Sequence, residues 1–274
     1  MRNKKAVALG CTALLITAMM TGCAAKGNEN TTTTQNETTT VTAAQETSES
    51  GETPSGMPDG GFGGSGEVTN GTAANTITED STVSTQTYIS DGDDENALRV
   101  DGATVTLDGI DVEKTGGASS NTEDGDFYGQ NAALLALNGA QVTIKNAVIN
   151  TDAVNGNAVF SYGEGTTVNI SDSVIRTQKN NSGGIQTTGG GTTNASNLDI
   201  VTNGNSSAAI RSDRGGGTVN VDGGTYVTNG TGSPAVYCTA DITVSNATLT
   251  ANSSEGVVVE GKNSVSLINS DVTG

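Results

Sequence analysis

Arg211 and Arg214 bracket Ser212-Asp213 and run directly into Gly215-Gly216-Gly217. They are two of the four arginines that follow residue 22. A guanidinium fork suits a carboxylate, such as that of a uronic or sialic acid. A glycine run lets backbone approach whatever is bound. Two further loops share this pattern, Ser161-Tyr162-Gly163-Glu164-Gly165 and Thr187-Thr188-Gly189-Gly190-Gly191. In them Tyr162 could stack on a sugar ring. Glu164 or Asp213 could hold Ca2+ between protein and ligand. Tyr162, Glu164, Arg211, Asp213 and Arg214 are therefore the candidate ligand-binding residues. The plainer account is a surface ion pair worth under about 1 kcal/mol beside ordinary glycine turns.

A second group is acidic. Asp91-Gly92-Asp93-Asp94-Glu95 and Asp124-Gly125-Asp126 make Asp91, Asp93, Asp124 and Asp126 weak metal candidates, with Ca2+ the one cofactor suggested. Their spacing is not that of an EF-hand, and Asp and Gly are also what solvated turns use. The chain has no His and no Trp. That removes His-based nucleophilic triads and His metal sites, and no catalytic residue is assigned. A third pattern, Thr104/Thr106, Gln141/Thr143, Thr167/Asn169, Thr218/Asn220 and Asp241/Thr243, makes a Thr-rich array. It mixes too many residue types for an ice-binding face, and Thr favours strands in any case.

What positions these residues is a repeat. Segments starting at Leu98, Leu134, Ala158, Ile185, Ala209, Ala235 and Val257 superimpose, and all but the fourth carry a triplet with an apolar residue at both ends, such as Val105-Thr106-Leu107 or Val142-Thr143-Ile144. From the second copy the triplets start at 142, 168, 193, 219, 242 and 265. The fourth copy, Thr193-Asn194-Ala195, is the weak one and is expected to be the softest. Alternation of apolar with Thr, Asn or Ser is the period of a half-buried strand. Two residues past each triplet stands Gly109, Asn146, Asp172, Asn197, Gly223, Asn246 or Asn269, all types that tolerate a left-handed backbone. A second apolar column follows at Val112, Ile149, Ile175, Ile200, Tyr226, Leu249 and Val272. Short strands and bends at a period of two dozen residues predict an all-β chain, a right-handed single-stranded parallel β-helix of about seven rungs. An antiparallel sandwich has no reason to keep Asn, Asp or Gly at one offset in every unit.

With this repeat, the Asn corner and the Ser-Asp-Arg-Gly-Gly-Gly loop, residues 76–274 resemble the pectin-lyase-like superfamily of right-handed β-helices. More narrowly, they resemble Firmicutes surface lipoproteins of the adhesin or carbohydrate-binding kind. The resemblance implies a β-helix and a surface role. Related polysaccharide lyases, which use carboxylate-bound Ca2+ and an Arg base, make an enzyme the alternative. The superfamily is diverse, so the fold alone carries no activity.

The front of the chain reads as an address. Arg2, Lys4 and Lys5 precede an apolar run from Ala6 to Met20 that is short for a membrane span. Met20-Thr21-Gly22-Cys23 resembles a bacterial lipobox, which implies a signal peptide over 1–22 and acylation of Cys23. Residues 23–75, rich in Thr, Ser and Gly, read as a disordered, lipid-anchored linker. The β-helix is then 76–274, with Thr76–Ser90 capping its first rung. No cap follows the last unit, so the solenoid is expected to continue in a longer chain. Formal charge is −18, and −21 without Arg2, Lys4 and Lys5, which argues against nucleic acid as a partner. With Cys11 and Cys23 accounted for, Cys238 is expected to be a small core residue.

These features together predict a non-catalytic surface lipoprotein, anchored on the extracellular face of a bacterial cell membrane and binding a polysaccharide or surface glycan, acidic ones included. The alternatives are a Ca2+-dependent lyase or a hydrolase on acidic polysaccharide, and a structural spacer. Hydrolases of this kind need paired carboxylates, and no Asp pair stands on adjacent inner positions.

Overall fold

The computed structural model describes residues 38–42 and 69–274, all within one compact unit, Asn36–Gly274. The expected signal peptide, Cys23 and most of the expected linker lie outside the described residues. The chain winds into a parallel β-solenoid of about eight turns. Each turn contributes three short strands, and each strand pairs in parallel with its equivalent one turn away. The first face runs from Thr76–Ile77 through Leu98–Asp101, Leu134–Leu137, Val159–Tyr162, Ile185–Thr188, Ile210–Ser212 and Val236–Cys238 to Val257–Val259. The triplet strands form the second face, and the strands after the corner form the third.

The register is the one that the repeat predicts. Val105, Val142, Val168, Thr193, Val219, Ile242 and Val265 pair in succession and are all buried. Burying one such aliphatic side chain stabilises by about 1.5–3 kcal/mol, and no turn can bury its own face without a neighbour. The corner column is left-handed throughout, from Gly109 at φ 63° through Asn146 at 53° to Asn269 at 48°. Its side chains also tie turns together: Asn197 Nδ2 donates to Asp172 Oδ1 at 2.8 Å.

Several features go beyond the sequence reading. Thr76–Ser90 is a full turn and not a cap, because Ile77 pairs with Val100, Val83 with Leu107 and Tyr88 with Val112. This makes the count about eight. A second left-handed column, Asn131, Asn155, Asn181, Ser206 and Gly232, turns the chain between third and first strands. The turn with Thr193 inside carries no unpaired hydroxyl there, since Thr193 Oγ1 lies 2.7 Å from Thr187 Oγ1. Its strand is continuous over Gly191–Thr202 and pairs along its length with Gly217–Thr228. Finally, Thr38–Thr42, assigned to the linker by sequence, is a strand that pairs antiparallel with Ser264–Ile268 of the last turn. Order also begins before residue 76, with Thr72–Ala73 paired to Glu95–Asn96.

Candidate functional site

The insertion between the second and third turns forms the one helix among the described residues, α1 (Thr122–Tyr128). Asn121 caps its start, accepting from the Glu123 N–H at 3.0 Å, and Gly129 at φ 72° ends it. α1 lies against the outward side of the first face. Its Gly125 is there for contact: a Cβ would come 2.7 Å from the Asn155 Cβ. Leu135, Leu137 and Phe160 should face solvent by strand alternation, yet they cluster with Ala132 as a small buried core, with Tyr162 packed against it. Thr188 Oγ1 donates to the Phe127 carbonyl at 2.7 Å, and Gln186 Nε2 donates to the Asp126 carbonyl.

This docking decides the fate of the arginines. Arg211 stands in the outward column Gln186, Arg211, Tyr237 and is only 8 % exposed. Its Nη2 is 2.8 Å from Asp213 Oδ2 and 3.3 Å from Asp126 Oδ2. Asp126 also accepts from Asn155 Nδ2 at 3.0 Å. Burial pushes the Asp126 carboxyl above the usual range, and Arg211 opposes that shift. Burial also works against the Arg211 charge, but Asp126 and Asp213 outweigh it and hold the guanidinium above its ordinary value. Arg214 is exposed. It lies 4.2 Å over the Phe127 ring and 3.6 Å from Glu123 Oε2, so it fastens α1 from outside.

Beside this cluster opens a pocket of about 300 Å3 lined by Asp126, Arg211, Tyr237, Pro234, Asn181 and Ser206. The Arg211 guanidinium lies 5.9 Å from the Tyr237 ring centroid. Burial, Asp213 and a bond to Glu260 push the Tyr237 hydroxyl up to about 12. It therefore stays protonated, with its O–H directed to Glu260.

The three glycine loops do stack, with Gly190 N–H donating to the Gly216 carbonyl at 3.1 Å. At Gly215, φ is 86° and a Cβ would sit 2.8 Å from the Gly189 Cα, so only Gly fits. The structure nevertheless divides the sequence candidates. Arg211 and Asp213 come together with Asp126. Tyr162 packs edge-on to Tyr128 at 5.6 Å, against the small core under α1. Glu164 is exposed in its own loop, two turns from the arginines. Arg211 is no free fork, because two carboxylates already hold it. Tyr237, which the sequence reading passed over, is the aromatic wall.

The metal candidates are also reassigned. Asp126 is committed to Arg211 and Asn155. Asp93 Oδ1 accepts the Ala118 N–H at 2.8 Å, and Asp94 Oδ1 accepts the Ser120 N–H at 2.6 Å. Asp124 stands in the first turn of α1, where burial raises its pKa and Asn121 opposes that. The Asp91–Glu95 loop surrounds Lys114, which is fully buried and donates to Ser90 Oγ at 3.2 Å and to the Gly92 carbonyl. Burial lowers the Lys114 pKa, while Glu95, Asp93, Asp91 and Asp94 act to raise it. The acidic loop is therefore counter-charge for a buried lysine. No cluster of three acidic or thiol side chains suited to a metal occurs among the described residues. Cys238 is buried and free, as expected.

No family model matches the chain, and no curated protein or solved structure is significantly similar to it.

Proposed function

We propose that this chain is a non-catalytic glycan-binding module, held by a lipid on Cys23 at the outer face of a bacterial membrane, with a site in the pocket between α1 and Tyr237. One observation carries the proposal: a buried guanidinium, fixed by two carboxylates, forms the floor of an open pocket with an aromatic wall. Sugar rings need an apolar face to stack on and oriented polar groups for their hydroxyls. The volume of about 300 Å3 is at the lower end of ligand pockets.

The charge balance refines the ligand. Arg211 faces both Asp126 and Asp213, so the site is net negative. A uronic or sialic acid would be repelled, and a neutral sugar whose hydroxyls donate to the carboxylates is favoured. The test is retention of the chain on immobilised neutral and acidic polysaccharides, with and without a chelator. Retention on neutral glycans, indifferent to chelation and weakened in Tyr237→Ala, is expected. Retention on acidic glycans alone, released by chelation, would refute this reading. No retention anywhere would favour the spacer.

A hydrolase is the second reading, because Asp126 and Asp213 share one guanidinium and burial raises the pKa of Asp126. Glycoside hydrolases divide acid and base work between two carboxyl groups in different environments. Release of reducing ends that stops in Asp213→Asn would establish it. A lyase using Arg211 as base is disfavoured, since its carboxylate partners hold the proton on the guanidinium.

A further inference from the structure

The outer side of the second face carries a column in register across five turns: Thr143, Asn169, Asn194, Asn220 and Thr243. Asn194 Nδ2 donates to Asn169 Oδ1 and Asn220 Nδ2 to Asn194 Oδ1, both at 2.9 Å. Each amide carries two N–H donors. The ladder consumes one on Asn194 and one on Asn220, and leaves the other of each free. An open groove of about 640 Å3 runs along this column.

Several occupants fail on physical grounds. A peptide strand needs an unpaired sheet edge, and here each strand's backbone is already paired on both sides. Nucleic acid is repelled by a chain of formal charge −18. An ionic ligand finds no net charge, since the two ionisable side chains lining the groove, Lys145 and Asp222, are of opposite sign. What remains is a neutral, extended molecule with hydroxyls or ether oxygens repeating along its length. A β-1,4-linked pyranose chain advances per sugar by about one strand spacing, roughly 4.8 Å.

We infer that this groove seats an extended neutral polysaccharide lying parallel to the solenoid axis, about one sugar per turn, as a seat separate from the Tyr237 pocket. The inference rests on the glycan reading above and names a ligand class and direction for a different face. Periodic hydrogen bonds alone are individually weak, so affinity here comes from several sugars engaged at once.

Calorimetry with the full chain tests it, using β-1,4-linked oligosaccharides of glucose, mannose and N-acetylglucosamine of increasing length. The α-1,4-linked glucose series, whose chains curve, is the control. For at least one β-linked series, affinity is expected to rise with each sugar up to about five, the number of turns in the groove. The α-linked series should show no such rise. Asn169→Ala/Asn194→Ala/Asn220→Ala should weaken the longest β-linked ligand by about tenfold or more, while Tyr237→Ala leaves the length dependence in place. If the triple variant melts early, Asn194→Thr, which suits a strand, replaces it. Unchanged binding by a folded groove variant overturns the inference and leaves the glycan reading standing. Equal binding of curved and extended chains also overturns it. So does ice shaping by the wild type that the variant loses, which would make an ice surface the occupant. Absence of binding to every series refutes the groove, while retention of the groove variant with and without Tyr237→Ala decides the Tyr237 pocket separately.

Discussion

Arg211→Ala is the most informative single change, because its cost separates a buried ion cluster from a surface pair. The side chain of Arg211 is 10 % exposed, and those of Asp126 and Asp213 are 14 % and 11 %. Removing the guanidinium leaves two carboxylates facing one another with little water to screen them. Breaking a buried pair from one side costs about 3–5 kcal/mol. In a domain of this size that lowers the Tm by roughly 10 °C. Asp126→Asn added to Arg211→Ala removes one of the two stranded charges and should restore about half of the loss. The pH dependence has a definite sign. In the wild type, burial already raises the Asp126 pKa against the pull of Arg211. Without Arg211 it rises further above the unfolded value, about 3.9. Between those two values the folded state holds more protons than the unfolded state, so stability falls as pH rises through that window. The deficit of Arg211→Ala should therefore be largest near pH 7 and shrink towards pH 4. Urea unfolding at both pH values measures this. A deficit under about 1 kcal/mol, or one that does not change with pH, would refute the buried-cluster account and with it the fixed floor of the proposed pocket.

Two further outcomes follow from the solenoid itself. Asn146 holds φ 53° in the corner column and donates to Asp108 Oδ1 at 2.8 Å. Asn146→Ala should cost about 1–2 kcal/mol by thermal or urea unfolding. Asn146→Gly should cost less, and equal costs would show that the side-chain bond, and not the left-handed backbone, sets the residue type. Thr38–Thr42 covers the edge of Ser264–Ile268, which is otherwise a row of unpaired backbone groups. Deleting residues 36–42 should leave the circular dichroism spectrum nearly unchanged and promote self-association in sedimentation velocity. A deleted chain that stays monomeric at every concentration would show that the strand has no capping role.

Much of the fold is legible because a β-solenoid writes its register into the sequence. Equivalent residues of successive turns meet directly, so Val142 over Val168 is both a spacing and a contact. The first turn escapes that reading at its corner. Thr85 takes the left-handed position at φ 53°, where neighbouring turns place Gly or Asn. A β-branched residue is rarely found there, so no periodic signal extends before Gly109. The second left-handed column was readable in principle, since Asn131, Asn155, Asn181, Ser206 and Gly232 recur at the repeat spacing. Asn121 and Gly129 likewise mark the ends of α1 as capping residues.

The site was half legible for a different reason. Arg211 lies in a strand and Asp213 follows just past its end, two residues on, but Asp126 reaches Arg211 from an insertion 85 residues earlier. No period connects an insertion to the turn on which it folds back. The clue lay in the strands instead. Leu134–Leu137 is apolar at every position, and Phe160 stands at an outward one, so something had to cover them. α1 is the only segment between Lys114 and Leu134 with helix caps at both ends, and its acidic first turns then needed partners on that face. Arg211 and Arg214 are those partners, one buried and one exposed. The same contact that docks the helix thus consumes the positive charge from which an acidic ligand was expected. It is this exchange that moves the proposed ligand from a carboxylate sugar to a neutral one.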